Sequence, residues 1–295
     1  MITVLLSTYN GEKYLREQLD SLVGQSEAVN ILVRDDGSND NTLAILEEYQ
    51  RGEKLKFIRG SNLGVAKSFI NLLENAPESE YYAFCDQDDV WDETKIEAAI
   101  EKLSLKDNSI PLLYMSTTRV VDAELKPLKN KKAKSKLITF GLSLIESVAV
   151  GCTYVFNSAL TNLFKQYKPE GYFMHDWFVH KVAAACGEVI FDEIPHISYR
   201  QHGANVIGEK VSIKKRVKNI LLGKSKGVRY RDALVIEKYF VEKLKCDERK
   251  IILNDLICYK NGFKAKWRLI FHKAIRPTQF FDRLFFRFLV FFERL

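Results

Sequence analysis

"YYAFCDQDDVWDETKIEAAI", residues 81–100, sets three carboxylates, Asp86, Asp88 and Asp89, behind an apolar run and ahead of a helical pattern. "YYAF" has the length and aromatic content of a buried strand, and Ile96, Ile100 and Leu103 recur at helical spacing in "ETKIEAAIEKL". The acids therefore sit at a strand's carboxyl end, which in an open α/β sheet is the edge where ligands bind. Clustered carboxylates there suit a hard divalent cation, which takes its oxygen ligands from one or two carboxylates and from phosphates. Taken alone, the acidic loop reads equally well as a solvated turn.

The pattern around this stretch repeats. "ITVLLSTYN" is a strand ending at Ser7, Thr8 and Asn10, and "EKYLREQLDSLVGQ" follows with Leu15, Leu19 and Leu22 on one helical face. "VNILVRDDGS" is a second strand ending in two acids and a glycine turn, and "TLAILEEYQ" is a helix that Asp40 or Asn41 would cap. "LKFIRG" makes a third strand and "NLGVAKSFINLLENA" a loop into a helix. Strand and helix alternate four times, which argues an α/β domain with a doubly wound, mostly parallel sheet. From residue 111 onward "LLYMSTTRVVD" and "ESVAVGCTYVFN" each read as a strand, with the lysine-rich "LKNKKAKSKL" a solvated loop between them. "MHDWFVHKVAAACG" reads as a helix, and "EVIFDEIPHISYRQHGANVIG" as a strand pair entering a glycine-containing loop. After Gly208 the chain becomes lysine-rich and helical in pattern, so residues 1–208 and 209–295 are expected to form a catalytic domain and a basic helical extension.

Composition narrows the classes of function. With 46% hydrophobic and 28% charged residues the chain is globular. "MITVLLSTYNGEKYL" turns polar after Leu6, and no run approaches the ~18 uncharged apolar residues of a membrane span, so a cytoplasmic protein is expected. The five cysteines show no CxxC spacing and read as reduced core thiols. The net charge of +7 points to an anionic partner. Its basic residues crowd 129–136, 214–219 and the end of the chain, while the sheet edge is acidic; this argues against nucleic acid.

In chain order, "VLLSTYNGEKYLREQLDSL", "VRDDGSNDNT", "NLGVAKSF", "FCDQDDVW", "GCTYVFN", "MHDW" and "YRQHGANVIG" resemble family 2 glycosyltransferases of the GT-A fold, especially the rhamnosyltransferase-like branch that builds bacterial surface polysaccharides of capsule or cell wall. The resemblance covers residues 1 to about 208. It implies a Rossmann-like nucleotide-diphospho-sugar transferase domain and transfer of a sugar, with inversion, to an acceptor hydroxyl. It further implies that Ser7 and Tyr9 line the base pocket, that Asp36 accepts a hydrogen bond from the pyrimidine, and that Asn62, Gly64 and Lys67 lie near the diphosphate. By the same resemblance Asp88, assisted by Asp86, holds Mn2+ or Mg2+, with His202 as a further ligand and Arg200 on the phosphates. Asp176 of "MHDW" corresponds to the family's base, with His175 the rival; Gly151, Cys152 and Trp177 would shape the sugar site. Each also has a plainer reading, as turn, cap or core. The donor the resemblance favours is dTDP-L-rhamnose, with UDP-hexoses behind it.

In the last segment Phe281, Leu284, Phe285, Phe288, Leu289, Phe292 and Leu295 form one apolar face, with Arg283, Arg287 and Arg294 opposite. That pattern suits an interfacial helix on anionic lipid at the inner face of the cell membrane, close to a glycan or lipid-linked acceptor; a core or homodimer helix is the alternative. A non-catalytic scaffold of a polysaccharide assembly complex is the competing function, and Asp36, Asp88 and Asp176 together argue against it.

Overall fold

The computed structural model describes residues 1–128, 138–203 and 227–295. The lysine-rich 129–136, the basic 214–219 and the expected boundary at residue 208 lie outside them. The main sheet is built from β1 (Ile2–Thr8), β2 (Val29–Asp35), β3 (Lys56–Arg59), β4 (Tyr81–Cys85), β6 (Leu112–Ser116), β8 (Val155–Asn157) and β9 (Glu188–Asp192). Its order is β3-β2-β1-β4-β8-β6-β9. β8 runs antiparallel to both β4 and β6, and the remaining pairs are parallel. A smaller sheet joins β5 (Val90–Trp91), β10 (Ile197–Arg200) and β7 (Arg119–Val121), with β10 central. It lies against the acidic loop and carries Arg200 into it.

Alternation along the central strands divides the interior into two cores. Ile2, Val4 and Leu6 face Leu15, Leu19 and Leu22 of α1 (Leu15–Val23), Ile45 and Leu46 of α2 (Thr42–Arg51), and Ile96 and Leu103 of α4 (Lys95–Ser104). Leu5, between them in sequence, faces the other side with Phe69, Leu72 and Leu73 of α3 (Val65–Asn75). α5 (Phe140–Ser143), α6 (Ser158–Tyr167) and α7 (His175–Cys186) pack on that same side. So do α8 (Val228–Phe240), α9 (Asp247–Ile257), α10 (Phe263–Ile270) and α11 (Phe280–Phe291), whose Phe240, Leu256, Leu269 and Val290 are buried in one cluster with Phe178 and Val182 of α7. The described part of the extension therefore shares its core with the sheet.

Two local readings need correction. "LLYMSTTRVVD" is two strands in different sheets, β6 and β7, because Thr117 and Thr118 break the run. "ESVAVGCTYVFN" contains a 3-10 turn, Gly151–Thr153, before β8. Of the two residues expected to cap α2, Asp40 does so, accepting the Thr42 N–H at 3.0 Å, while Asn41 makes no side-chain capping bond. The last helix also differs. Phe286, Leu289 and Val290 form its buried side, and Phe281, Leu284, Phe288 and Phe292 of the expected apolar face are exposed.

Candidate active site

The strand-end loop after β4 is fixed by its neutral member. Gln87 Oε1 accepts from Thr8 Oγ1 at 2.6 Å and from the Tyr9 N–H at 2.8 Å, and Gln87 Nε2 donates to the Tyr9 carbonyl at 3.2 Å. These bonds tie the end of β4 to the end of β1. Gly11 makes room for them, since a Cβ there would lie 2.5 Å from Gln87 Oε1.

Arg200 braces the same loop from the smaller sheet. It is 1% exposed; its N–H donates to Asp89 Oδ1 at 2.9 Å and its Nε to the Asp88 carbonyl at 2.8 Å. The guanidinium also donates to the Ala123 carbonyl and pairs with Glu17. This corrects its expected place on the diphosphate: the side chain is buried and engaged with the protein. Two residues on, His202 Nε2 lies 2.8 Å from Asp88 Oδ2, a direct contact between the two side chains. Tyr14 holds both partners, its ring 4.8 Å from the His202 ring and 4.5 Å from the Arg200 guanidinium carbon.

The carboxylates face one another in a poorly hydrated place. Burial, followed by the charges of Asp89, Asp88 and Asp176, holds the Asp86 carboxyl far above its usual range. Burial and the neighbouring Asp88 push Asp89 up to about 7. Asp89 Oδ2 is buried with no hydrogen-bond partner, and ligand atoms of Asp86, Asp89 and Cys152 lie within 4.8 Å of one another. An orphaned buried carboxylate oxygen amid mutually repelling acids fits a divalent cation, and the grouping that the structure brings together is Asp86, Asp89 and Cys152, whereas the expected set was Asp86, Asp88 and His202. Beneath them the Lys95 ammonium is fully buried, 3.1 Å from the Trp91 ring centroid, and its pKa is lowered to about 7 by burial.

At the end of β2, Asp36 is 3% exposed and already accepts from Arg34 and from the Leu63 and Gly64 N–H groups at 2.8 and 2.9 Å. Its carboxylate thus anchors the loop of Asn62 and Gly64. Asp35 closes its own turn, accepting from the Gly37 and Ser38 N–H groups. Ser7 shares a hydrogen bond with Ser68 at 2.7 Å, Tyr9 is 44% exposed, and Asn62, Gly64 and Lys67 are exposed around the same edge. Gly64 adopts φ 79°, a backbone favouring glycine, with open space where a side chain would stand.

Asp176 lies in the first turn of α7, 7% exposed, accepting the Trp177 N–H at 2.8 Å. Gly151 is pressed against it: a Cβ at Gly151 would fall 2.8 Å from Asp176 Cβ. Gly151 and Cys152 are buried. His175 stacks on Phe69 at 4.0 Å and lies edge-on to Phe84 at 5.2 Å. Burial lowers its pKa to about 4. It is a neutral core ring near pH 7. Trp177 is half-buried beside Phe173, its ring 5.8 Å away.

The residues that hold the loop, Gln87, Tyr14 and Glu17, were not among the expected site residues. Only Gln87 carried a signal, by standing inside the acidic motif.

Comparison with known proteins agrees with this architecture. The family model "Glycosyl transferase family 2" matches residues 3–168. The dTDP-rhamnosyl transferase RfbG of Shigella flexneri is 30% identical over 242 residues, 76% of this chain and 81% of that protein. An uncharacterized glycosyltransferase of Rickettsia typhi, RT0329, is 27% identical over 69% of this chain and 65% of its own length. Among solved structures, S. aureus TarS 1-349 in complex with UDP-GlcNAc superposes with a TM-score of 0.59 at 17% identity, covering 98% of this chain and 81% of that one. The mannosyltransferase PcManGT of Pyrobaculum calidifontis, in complex with GDP-Man and Mn2+, does so at 0.53 and 16%, covering 93% and 71%. These two likenesses are of fold.

Proposed function

The chain belongs to glycosyl transferase family 2, and we propose that it is an inverting transferase moving L-rhamnose from dTDP-L-rhamnose to a hydroxyl of a lipid-linked cell-surface polysaccharide. One observation carries the enzymatic reading. Asp86, just after β4, and Asp176, at the start of α7, are ninety residues apart in sequence yet are bridged by one turn: a Cβ on Gly151 would fall 2.8 Å from Asp176 Cβ, and the adjacent Cys152 has its ligand atom within 4.8 Å of those of Asp86 and Asp89. The loop that would hold a metal thus stands beside the carboxylate that would take a proton. A scaffold needs no such pairing.

In this reading the pyrimidine sits at the edge formed by Ser7, Tyr9 and Asp36, and the diphosphate beside Asn62, Gly64 and Lys67. Asp88, Asp86 and His202 would hold Mn2+ or Mg2+, which when bound offsets the charge that develops on the departing diphosphate. Asp176 accepts the proton of the acceptor hydroxyl. His175, neutral and stacked in the core, serves that task less well. The relative from Shigella flexneri supports dTDP-L-rhamnose; a UDP-hexose is the second donor class.

The C-terminal helices support attachment to the inner face of the cell membrane. Phe263, Trp267 and Phe271 of the α10 region and Phe280, Phe281, Leu284, Phe288, Phe291 and Phe292 of the α11 region are all more than 40% exposed. Residues 263–295 also carry eight lysines and arginines against Asp282 and Glu293. Wedge-like aromatics amid cationic residues suit an anionic lipid surface. Among the described residues no helix is long and apolar enough to cross a membrane. A homodimer is the other occupant that this face allows.

The test is thermal unfolding with Mn2+ or Mg2+ against dTDP, UDP and GDP in turn, since a ligand that binds only the folded state raises the midpoint. Stabilisation by one nucleotide only with metal, abolished by Asp88→Ala, is expected. No shift at millimolar nucleotide would remove the donor site and favour the scaffold.

A further inference from the structure

The start of α7 is gripped on both sides of Asp176 by one carboxylate from the C-terminal extension, and we propose that Asp232 is the positioning residue for that base. Asp232 lies on α8 and is 0% exposed. Its Oδ1 accepts the Phe173 N–H at 3.1 Å, and its Oδ2 pairs with the Lys181 ammonium, an ion pair whose side chains are 5% and 0% exposed. Phe173 precedes Asp176 by three residues and Lys181 follows it by five, so one group fixes both the chain's entry into the helix and the helix's second turn. Both partners also approach Trp177, the Phe173 ring at 5.8 Å and the Lys181 Nζ at 6.0 Å from the indole centroid.

The local structure needs such a hold. Met174, at the cap position of α7, supplies no side-chain capping bond, and the preceding loop turns through Gly171 at φ 90°. Left to itself, a helix start of this kind frays. Gly151 packs directly against Asp176, and Asp232 supplies the polar hold on the residues before and after it. A buried ion pair contributes little stability relative to an apolar pair of the same shape, whereas it fixes geometry well. Asp232 lies beyond residues 3–168, the part matched by the family model, which makes the extension a component of the catalytic unit.

The proposal rests on Asp176 as base, and the experiment separates the two. In Lys181→Met/Asp232→Leu both charges are replaced together by apolar side chains, so no buried charge is left alone. Hydrolysis of dTDP-L-rhamnose, or of UDP-glucose if the wild type turns over only that donor, supplies a simple assay. Water replaces the acceptor: its oxygen bonds to the anomeric carbon, the bond to the diphosphate breaks, and its proton passes through Asp176 to solvent. The double variant is expected to lose at least tenfold in kcat with KM and Mn2+-dependent nucleotide binding within threefold of wild type. Hydrogen exchange at amides 173–178 should accelerate at least tenfold, with β1 and β4 unchanged. Wild-type kcat, unchanged exchange at 173–178, or an equal loss of nucleotide binding would each overturn the proposal. Asp176→Asn, measured in parallel, addresses the base itself: full turnover there refutes that reading, while the exchange result still judges the hold of Asp232 on α7.

Discussion

Replacing Gly151 with alanine should disable the base while leaving donor binding intact. The added Cβ would stand 2.8 Å from Asp176 Cβ, 3.4 Å from its Cγ and 3.3 Å from Oδ2. Carbon atoms in contact sit about 3.5–4.0 Å apart, so the two groups must separate by roughly 1 Å. Neither side can flex cheaply, since the Gly151–Thr153 turn is buried and α7 is packed on α3 and β9. Overpacking of this kind costs about 1–3 kcal/mol. A 1 Å displacement of a reacting group costs on the order of 100-fold in rate, which sets the expected fall in kcat. The assay is steady-state donor turnover alongside metal-dependent nucleotide binding and the unfolding midpoint. Gly52→Ala is the control, because the nearest atom its Cβ would meet, the Tyr49 carbonyl oxygen, is 3.6 Å away, an ordinary contact, and it lies at the far end of α2. If Gly151→Ala keeps kcat within threefold of wild type, the tight approach does not set the position of Asp176, and the reasoning fails.

Arg200→Met should lower stability by about 3 kcal/mol, through loss of charge-assisted bonds to the Asp88 loop, and should abolish the metal-dependent nucleotide shift; denaturant unfolding and thermal shift measure the two. The acid limb of stability should report His180, a fully buried ring whose pKa burial lowers to about 3. The unfolded chain binds its proton below ~6.5 and the native state does not, so this contribution is present above pH 6.5 and is lost as pH falls. At pH 5 the loss is about 2 kcal/mol, and His180→Leu should flatten the difference between pH 7 and pH 5 by that amount; an unchanged difference refutes it. Triple replacement of Phe281, Phe288 and Phe291 by serine, all exposed and outside the core, should weaken co-sedimentation with phosphatidylglycerol vesicles roughly 100-fold at about 1 kcal/mol each. Unaltered vesicle binding would leave the homodimer as the occupant of that face.

Local pattern alone determined a good deal. Alternating apolar residues in "ITVLLS" and helical spacing in "LREQLDSLV" placed β1 and α1, because each periodicity is a property of neighbouring residues. The same logic put the acids at the end of β4, and the ordered motifs carried the family. Pattern failed where the answer depended on what lay opposite. The last helix carries Phe286 and Val290 in addition to the apolar face read from its spacing, so its sequence could not say that these two face the core while Phe281 and Phe288 face outward. Nor could a charge announce its partner: Arg200 looks like a phosphate ligand until the Asp88 carbonyl and Glu17 are found to engage it, and Asp36 like a free acceptor until Leu63 and Gly64 donate to it. Gly151 against Asp176, His202 against Asp88 and Asp232 across α7 join residues tens to more than a hundred positions apart. The sequence by itself determined which chemical groups stand at the strand ends. Only the tertiary structure decided which of them are held inward as braces and which are left to face a ligand, because burial and hydrogen-bond saturation are set by distant parts of the chain.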